Sequence, residues 1–166
     1  TKAEKIREEL VGKTPYQIFK IGEFNTPTPL MGDYQQKNMT TCRIAIDAIR
    51  TIEKLNLSET TIQAGFRNVV KNTHLLGRWQ ILSDCPYTVC DTGHNIGGIQ
   101  YVAKQLENTP HERLHIVFGM VGDKDVSHVL ELLPKDATYY FTRASIKRAM
   151  EEDKLQGLAA QKGLKG

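Results

Sequence analysis

At 166 residues the chain is long enough for one ordinary domain or two small ones, with a sizeable buried core. Its 40% hydrophobic and 25% charged content is that of a folded globular protein, which excludes the disordered and fibrous classes. Lys+Arg 22 against Asp+Glu 19 leaves a net charge of only +3, without the clustered positive charge that a nucleic-acid partner demands. No run approaches the roughly 18 apolar residues of a membrane span, and the charged opening TKAEKIREEL is not a signal peptide. The cysteines, Cys42, Cys85 and Cys90, make an odd set without CxxC spacing. Reduced thiols in a cytoplasmic setting, and no cysteine-built zinc site, are expected. The chain starts without Met and stops just after a predicted helix, so it is expected to be a fragment of something larger.

In chain order, Ala3 to Leu10 is expected as a polar helix tail, with Gly12 as its C-cap. Tyr16 to Ile21 alternates like a strand, and Asn25 to Gly32 is a Pro/Gly-rich loop. From Asn38 to Leu55 the helical spacing of Cys42, Ala45, Ile46, Ile49 and Ile52 predicts a buried stripe, with Arg43, Asp47, Arg50 and Lys54 on the other face. Ser58 is expected to cap a second helix, whose buried side is Ile62, Phe66, Val69 and Val70. A domain boundary is placed within Lys71 to Gly77, giving domains 1–76 and 77–166.

Beyond Gly77 the pattern changes. A short strand closes at Thr88 to Cys90, and a helix through Ile99, Val102, Ala103 and Leu106 follows. A strand over Leu114 to Phe118, a helix over Val126 to Leu133, a strand over Ala137 to Phe141 and a charged helix from about Ile146 to Gln161 complete the run. That alternation reads as an α/β fold with a mostly parallel, doubly wound sheet. Ligands of such sheets bind beyond the carboxyl ends of the strands. Asp91 to Asn95, Gly119 to Asp125, and Thr142-Arg143 are expected there.

Each motif carries a structural alternative. Gly12-Lys13-Thr14 lacks the glycine five positions earlier that a P-loop needs, since Arg7 stands there. Asp91 can accept from ribose hydroxyls or metal-bound water, and His94 can bind an anion or relay a proton; the alternative is that Asp91 or Asn95 merely caps the next helix and His94 is an exposed loop residue. Gly97-Gly98 is expected to allow close packing of that helix. Gly119 to Asp125 can close over a nucleotide or an acidic substrate, with Asp125 capping the following helix in either case. Arg78 can make bidentate bonds to phosphate, or it can be a solvated neighbour of a packed Trp79. His74, His111, His115 and His128 share no metal-ligand spacing, and Cys90 is expected to be buried and inert.

Four motifs in order, Gly32-Asp33-Tyr34-Gln35-Gln36-Lys37-Asn38, Gly77-Arg78-Trp79-Gln80, Asp91-Thr92-Gly93-His94-Asn95, and Phe118-Gly119 with Asp123-Lys124-Asp125, resemble the Mur ligase superfamily. The resemblance is closest to the folylpolyglutamate synthase and dihydrofolate synthase family. It implies the end of a central α/β ATPase domain followed by most of a Rossmann-like C-terminal ligase domain. It implies ligases that use ATP and Mg²⁺ to activate a carboxylate of dihydropteroate or tetrahydrofolate as an acyl phosphate, which L-glutamate then attacks. By this resemblance Asn38 contacts the adenine, Arg78 reaches the phosphates across the domain interface, and Asp91 holds the nucleotide. His94 lies near the incoming glutamate, and Asn95, Asp123 and Lys124 border the same cleft. Arg78, Asp91 and His94 are the implied catalytic set.

Two departures stand out: Tyr34 replaces the family's usual histidine, and Asp-Thr-Gly-His-Asn-Ile replaces Asp-Gly-Ala-His-Asn-Pro. The family's P-loop, magnesium-binding carboxylates and carbamylated lysine have no counterpart in these residues. No metal ligand is therefore assigned here, and the fragment alone is expected to be inactive. The whole enzyme is expected to be a cytoplasmic monomer without nucleic-acid or membrane partners. A cell-wall peptide ligase and a non-catalytic Rossmann-like module remain the alternatives.

Overall fold

The computed structural model describes residues 2–122 and 125–166, which fall into two compact units, Thr1–Thr92 and Gly93–Gly166. The first opens with strands. β1 (Ala3–Val11), β2 (Thr14–Ile21) and β3 (Phe24–Thr28) form an antiparallel sheet in that order. Two-residue turns, Gly12-Lys13 and Gly22-Glu23, close the hairpins, with the glycines at φ +65° and +61°. Glycine at the first central position is what the type II′ turn requires to match strand twist. This overturns the helix expected over Ala3 to Leu10 and the C-cap at Gly12. The Glu, Lys and Arg of β1 favour helix locally, but cross-strand pairing with β2 decides the outcome. The first part of the expected loop, Asn25 to Thr28, is likewise strand. Pro27 is tolerated there because β3 is an edge strand, where a missing N–H is harmless.

α1 (Gln35–Ile52) presents the opposite face from the one expected. Gln35 and Met39 are buried, whereas Ile49 and Ile52 are 48% and 73% exposed. Arg43, expected on the solvent side, is only 12% exposed, because its guanidinium meets Glu59 at 2.6 and 2.8 Å and Asp47 at 3.0 Å. That ionic seam ties α1 to α2 (Glu59–Arg67), which Ser58 caps by accepting from the Thr61 N–H at 3.1 Å. α3 (Val69–Thr73) follows, and Phe19, Ile21, Met39 and Ala3 form the core of the unit with Phe66 packed on it. β4 (Gln80–Asp84) and β5 (Tyr87–Cys90) make an antiparallel hairpin. Cys90 is half-buried rather than buried, and Cys42 and Cys85 are exposed.

In the second unit α4 (Ile96–Asn108), β6 (His115–Phe118), α5 (Val126–Glu131), β7 (Thr138–Phe141) and α6 (Glu152–Gln161) alternate as predicted. β6 and β7 pair in parallel through the α5 crossover, and Thr138 makes a further parallel bridge to Lys165. Leu130, Val129, Tyr139, Leu155 and Ala159 are the centre of its core. α6 begins six residues later than expected. Residues 148–150 direct their backbone to the 120–122 loop instead, with Gly122 N donating to Arg148 O at 3.0 Å and Met150 N to Met120 O at 2.9 Å. Among the described residues no helix is long and apolar enough to cross a membrane.

Candidate functional site

Two motifs, fourteen residues apart in sequence, are joined in the first unit by one hydrogen-bonded arch. Gly77 turns the chain at φ +68°, and a Cβ there would stand 2.4 Å from Thr92 Cγ2. Only glycine satisfies both conditions. Its carbonyl accepts from Thr92 N (3.0 Å), Thr92 Oγ1 (3.0 Å) and Arg78 Nη1 (3.2 Å). Arg78 Nη1 also donates to Thr92 Oγ1. The arginine is therefore anchored through one nitrogen, which leaves the planar guanidinium geometry suited to an anion.

Trp79 is buried, yet its backbone adopts φ +48°, a region a non-glycine residue occupies only when its surroundings hold it there. The clamp is Asp91, whose Oδ2 accepts from Trp79 N at 2.7 Å. The same oxygen accepts from the Tyr34 hydroxyl at 2.9 Å. Burial, and then the adjoining Asp91 charge, push the Tyr34 hydroxyl well above its ordinary pKa, so it stays a donor at neutral pH. A Cβ on Gly32 would come within 2.5 Å of the Tyr34 ring, so that glycine makes room for it. Asp91 thus joins the loop before α1 to the loop before β4.

Asn38 lies exposed on the first turn of α1, donating from Nδ2 to Gln35 Oε1 at 3.0 Å. Gln35 is buried, and its Nε2 has no hydrogen-bond acceptor among the described residues. A cavity of about 380 Å³ opens in the same unit, walled by Tyr16, Leu30, Met31, Leu76 and Gly77. Among the described site residues expected from sequence, only Arg78 lines it. His94 and Asn95 begin the second unit. His94 is exposed, and Asn95 is the N-cap of α4, accepting from Gly98 N at 2.8 Å. Gly98 accommodates this cap loop: a Cβ there would meet Asn95 Oδ1 at 3.2 Å and Gly93 Cα at 3.4 Å. Asp125 caps α5 by accepting from His128 N at 3.3 Å. Asp123 and Lys124 lie outside the described residues. No group of three His, Cys, Asp or Glu that could hold a metal gathers among the described residues.

Two contributors were given no role by sequence reasoning. Thr92 ties Gly77 to Arg78, and Tyr34 reaches Asp91. The sequence signal was their place inside the motifs, where both stand as departures from the family pattern.

An alternating strand–helix unit with a parallel strand pair thus follows an arch built around Arg78 and Asp91. The chain belongs to the Mur ligase family, glutamate ligase domain, whose model matches residues 77–165. It is 29% identical over 130 residues to the probable bifunctional folylpolyglutamate synthase/dihydropteroate synthase of Haloferax volcanii, covering 78% of this chain and 15% of that protein. It is 32% identical over 110 residues to the dihydrofolate synthase/folylpolyglutamate synthase of Escherichia coli, covering 66% of this chain and 24% of that protein. The fold matches the folylpolyglutamate synthase of Mycobacterium tuberculosis complexed with ADP at TM-score 0.72 and 21% identity, over 98% of this chain and 36% of the other. The chain thus spans about a sixth to a quarter of the length of these curated relatives.

Proposed function

We propose that the chain carries the nucleotide-handling arch and the glutamate-ligase domain of an ATP-dependent folate:glutamate ligase, with the domain boundary near residue 77. The observation that carries this reading is the arch itself: Arg78 is bonded to Gly77 and Thr92, and Trp79 to Asp91, within a family match that begins at residue 77. The arginine fork suits the phosphates of ATP, and the Asp91 carboxylate suits hydroxyl or metal-water donors beside them. Asn38, an amide at the head of α1, offers both a donor and an acceptor to a purine edge.

In this reading ATP phosphorylates the carboxylate of dihydropteroate or of a folate's terminal glutamate. The amine of L-glutamate, received by His94, Asn95, Asp123 and Lys124, then displaces phosphate. Mg²⁺ would shield the phosphate charge, and its ligands are not gathered among the described residues. The roles left to this chain are binding, orientation and charge stabilisation, which is most of what phosphoryl transfer asks of a protein. The setting is cytoplasmic.

The test is the full-length protein with Arg78→Ala or Asp91→Asn. Each should lower kcat/KM for ATP by about 100-fold or more, as expected for a lost phosphate clamp. Near-normal turnover in both would remove these residues from the site.

A further inference from the structure

We propose that Tyr34 is a positioning residue for the nucleotide, acting through Asp91. This rests on the reading of Asp91 as a nucleotide-binding group. The Tyr34 hydroxyl and the Trp79 amide converge on one oxygen of that carboxylate, at 2.9 and 2.7 Å, from two separate loops of the first unit. Two donors on Oδ2 fix the rotation of the carboxylate and thereby the direction of its second oxygen. The tyrosine ring is seated by Gly32, where a side chain would collide with it at 2.5 Å. Its neighbour Gln35 is buried on the first turn of α1. The hydroxyl is therefore placed by the sheet-to-α1 loop, and not by the loop that carries Asp91.

Among the described residues, the charged groups that act on the hydroxyl are Asp91 and Arg78. A histidine in this place would titrate near neutrality, whereas the phenol keeps its proton. Asp91 in this chain therefore receives a donor whose strength does not vary with pH in the physiological range. Tyr34 touches neither phosphate nor glutamate in this account. Its effect appears in nucleotide affinity.

The experiment is ADP titration by calorimetry on the full-length protein, comparing wild type, Tyr34→Phe, Asp91→Asn and the double variant. Tyr34→Phe removes only the hydroxyl and should raise the ADP Kd about tenfold, the loss expected of one hydrogen bond to a charged group. In the Asp91→Asn background the same change should cost less than about threefold, because the charge it acts on is gone. If the Asn variant fails to fold, Asp91→Ser completes the cycle. A Tyr34→Phe Kd within twofold of wild type overturns the proposal. So does an equal effect in both backgrounds, which would mean that Tyr34 acts elsewhere. Failure of the wild-type protein to bind ADP at all would instead sink the nucleotide-site reading on which the proposal rests.

Discussion

At the scale of single residues, the arch depends on a turn that only glycine can make. Gly77 combines φ +68° with a 2.4 Å approach to Thr92 Cγ2, so Gly77→Ala meets both backbone strain and a collision. The expected loss is about 1–3 kcal/mol, read as a lower denaturant midpoint at unchanged slope. Gly65→Ala is the matched control: it lies inside α2 with open space around it, and should be neutral or stabilising by up to about 1 kcal/mol. A Gly77→Ala midpoint equal to wild type would contradict the geometry. The sequence motifs placed Arg78 and Asp91 near functional chemistry but gave no sign that Thr92 links them. Nor did they show that Tyr34, read as a departure from a family pattern, reaches the aspartate. Such side-chain links depend on tertiary placement, which no local pattern encodes.

At the scale of elements, β1 shows why local preference misleads. Ala3 is buried, but most of the strand is exposed on both faces, so the period-two signal that marks a half-buried strand is missing. The legible sign was in the turns, Gly12-Lys13 and Gly22-Glu23. α1 was legible as a helix, but its orientation was not. The apolar positions Ile49 and Ile52 face solvent while Arg43 turns toward Glu59.

That ion pair makes a pH prediction. Arg43, and to a lesser degree Arg50, hold the Glu59 carboxyl below its ordinary pKa. A depressed folded-state pKa gives stability that is fully present above the ordinary carboxylate range and is lost as pH falls through the lowered value. Arg43→Met should therefore lower the Tm most near pH 7, at a cost of about 1 kcal/mol, with the gap closing toward pH 3. A gap that does not change with pH would mean that Arg43 acts by packing alone.

At the scale of the whole molecule, the strand–helix alternation from α4 to α6 was legible because short apolar runs, bounded by glycine and proline, separate helices of apolar periodicity. The parallel pairing of β6 with β7 follows from it. The start of α6 was not legible, since residues 148–150 give their backbone to the 120–122 loop and a helical pattern cannot reveal that. The proposed glutamate ligase activity, with nucleotide handled through Arg78 and Asp91, rests on the family match and the arch. The measurement that tests this most directly is phosphate release from ATP by the full-length protein, with glutamate plus dihydropteroate and separately with glutamate plus tetrahydrofolate. Release that requires both glutamate and a pterin substrate is the predicted result. A folded, ATP-binding protein that releases no phosphate with either pair would contradict it.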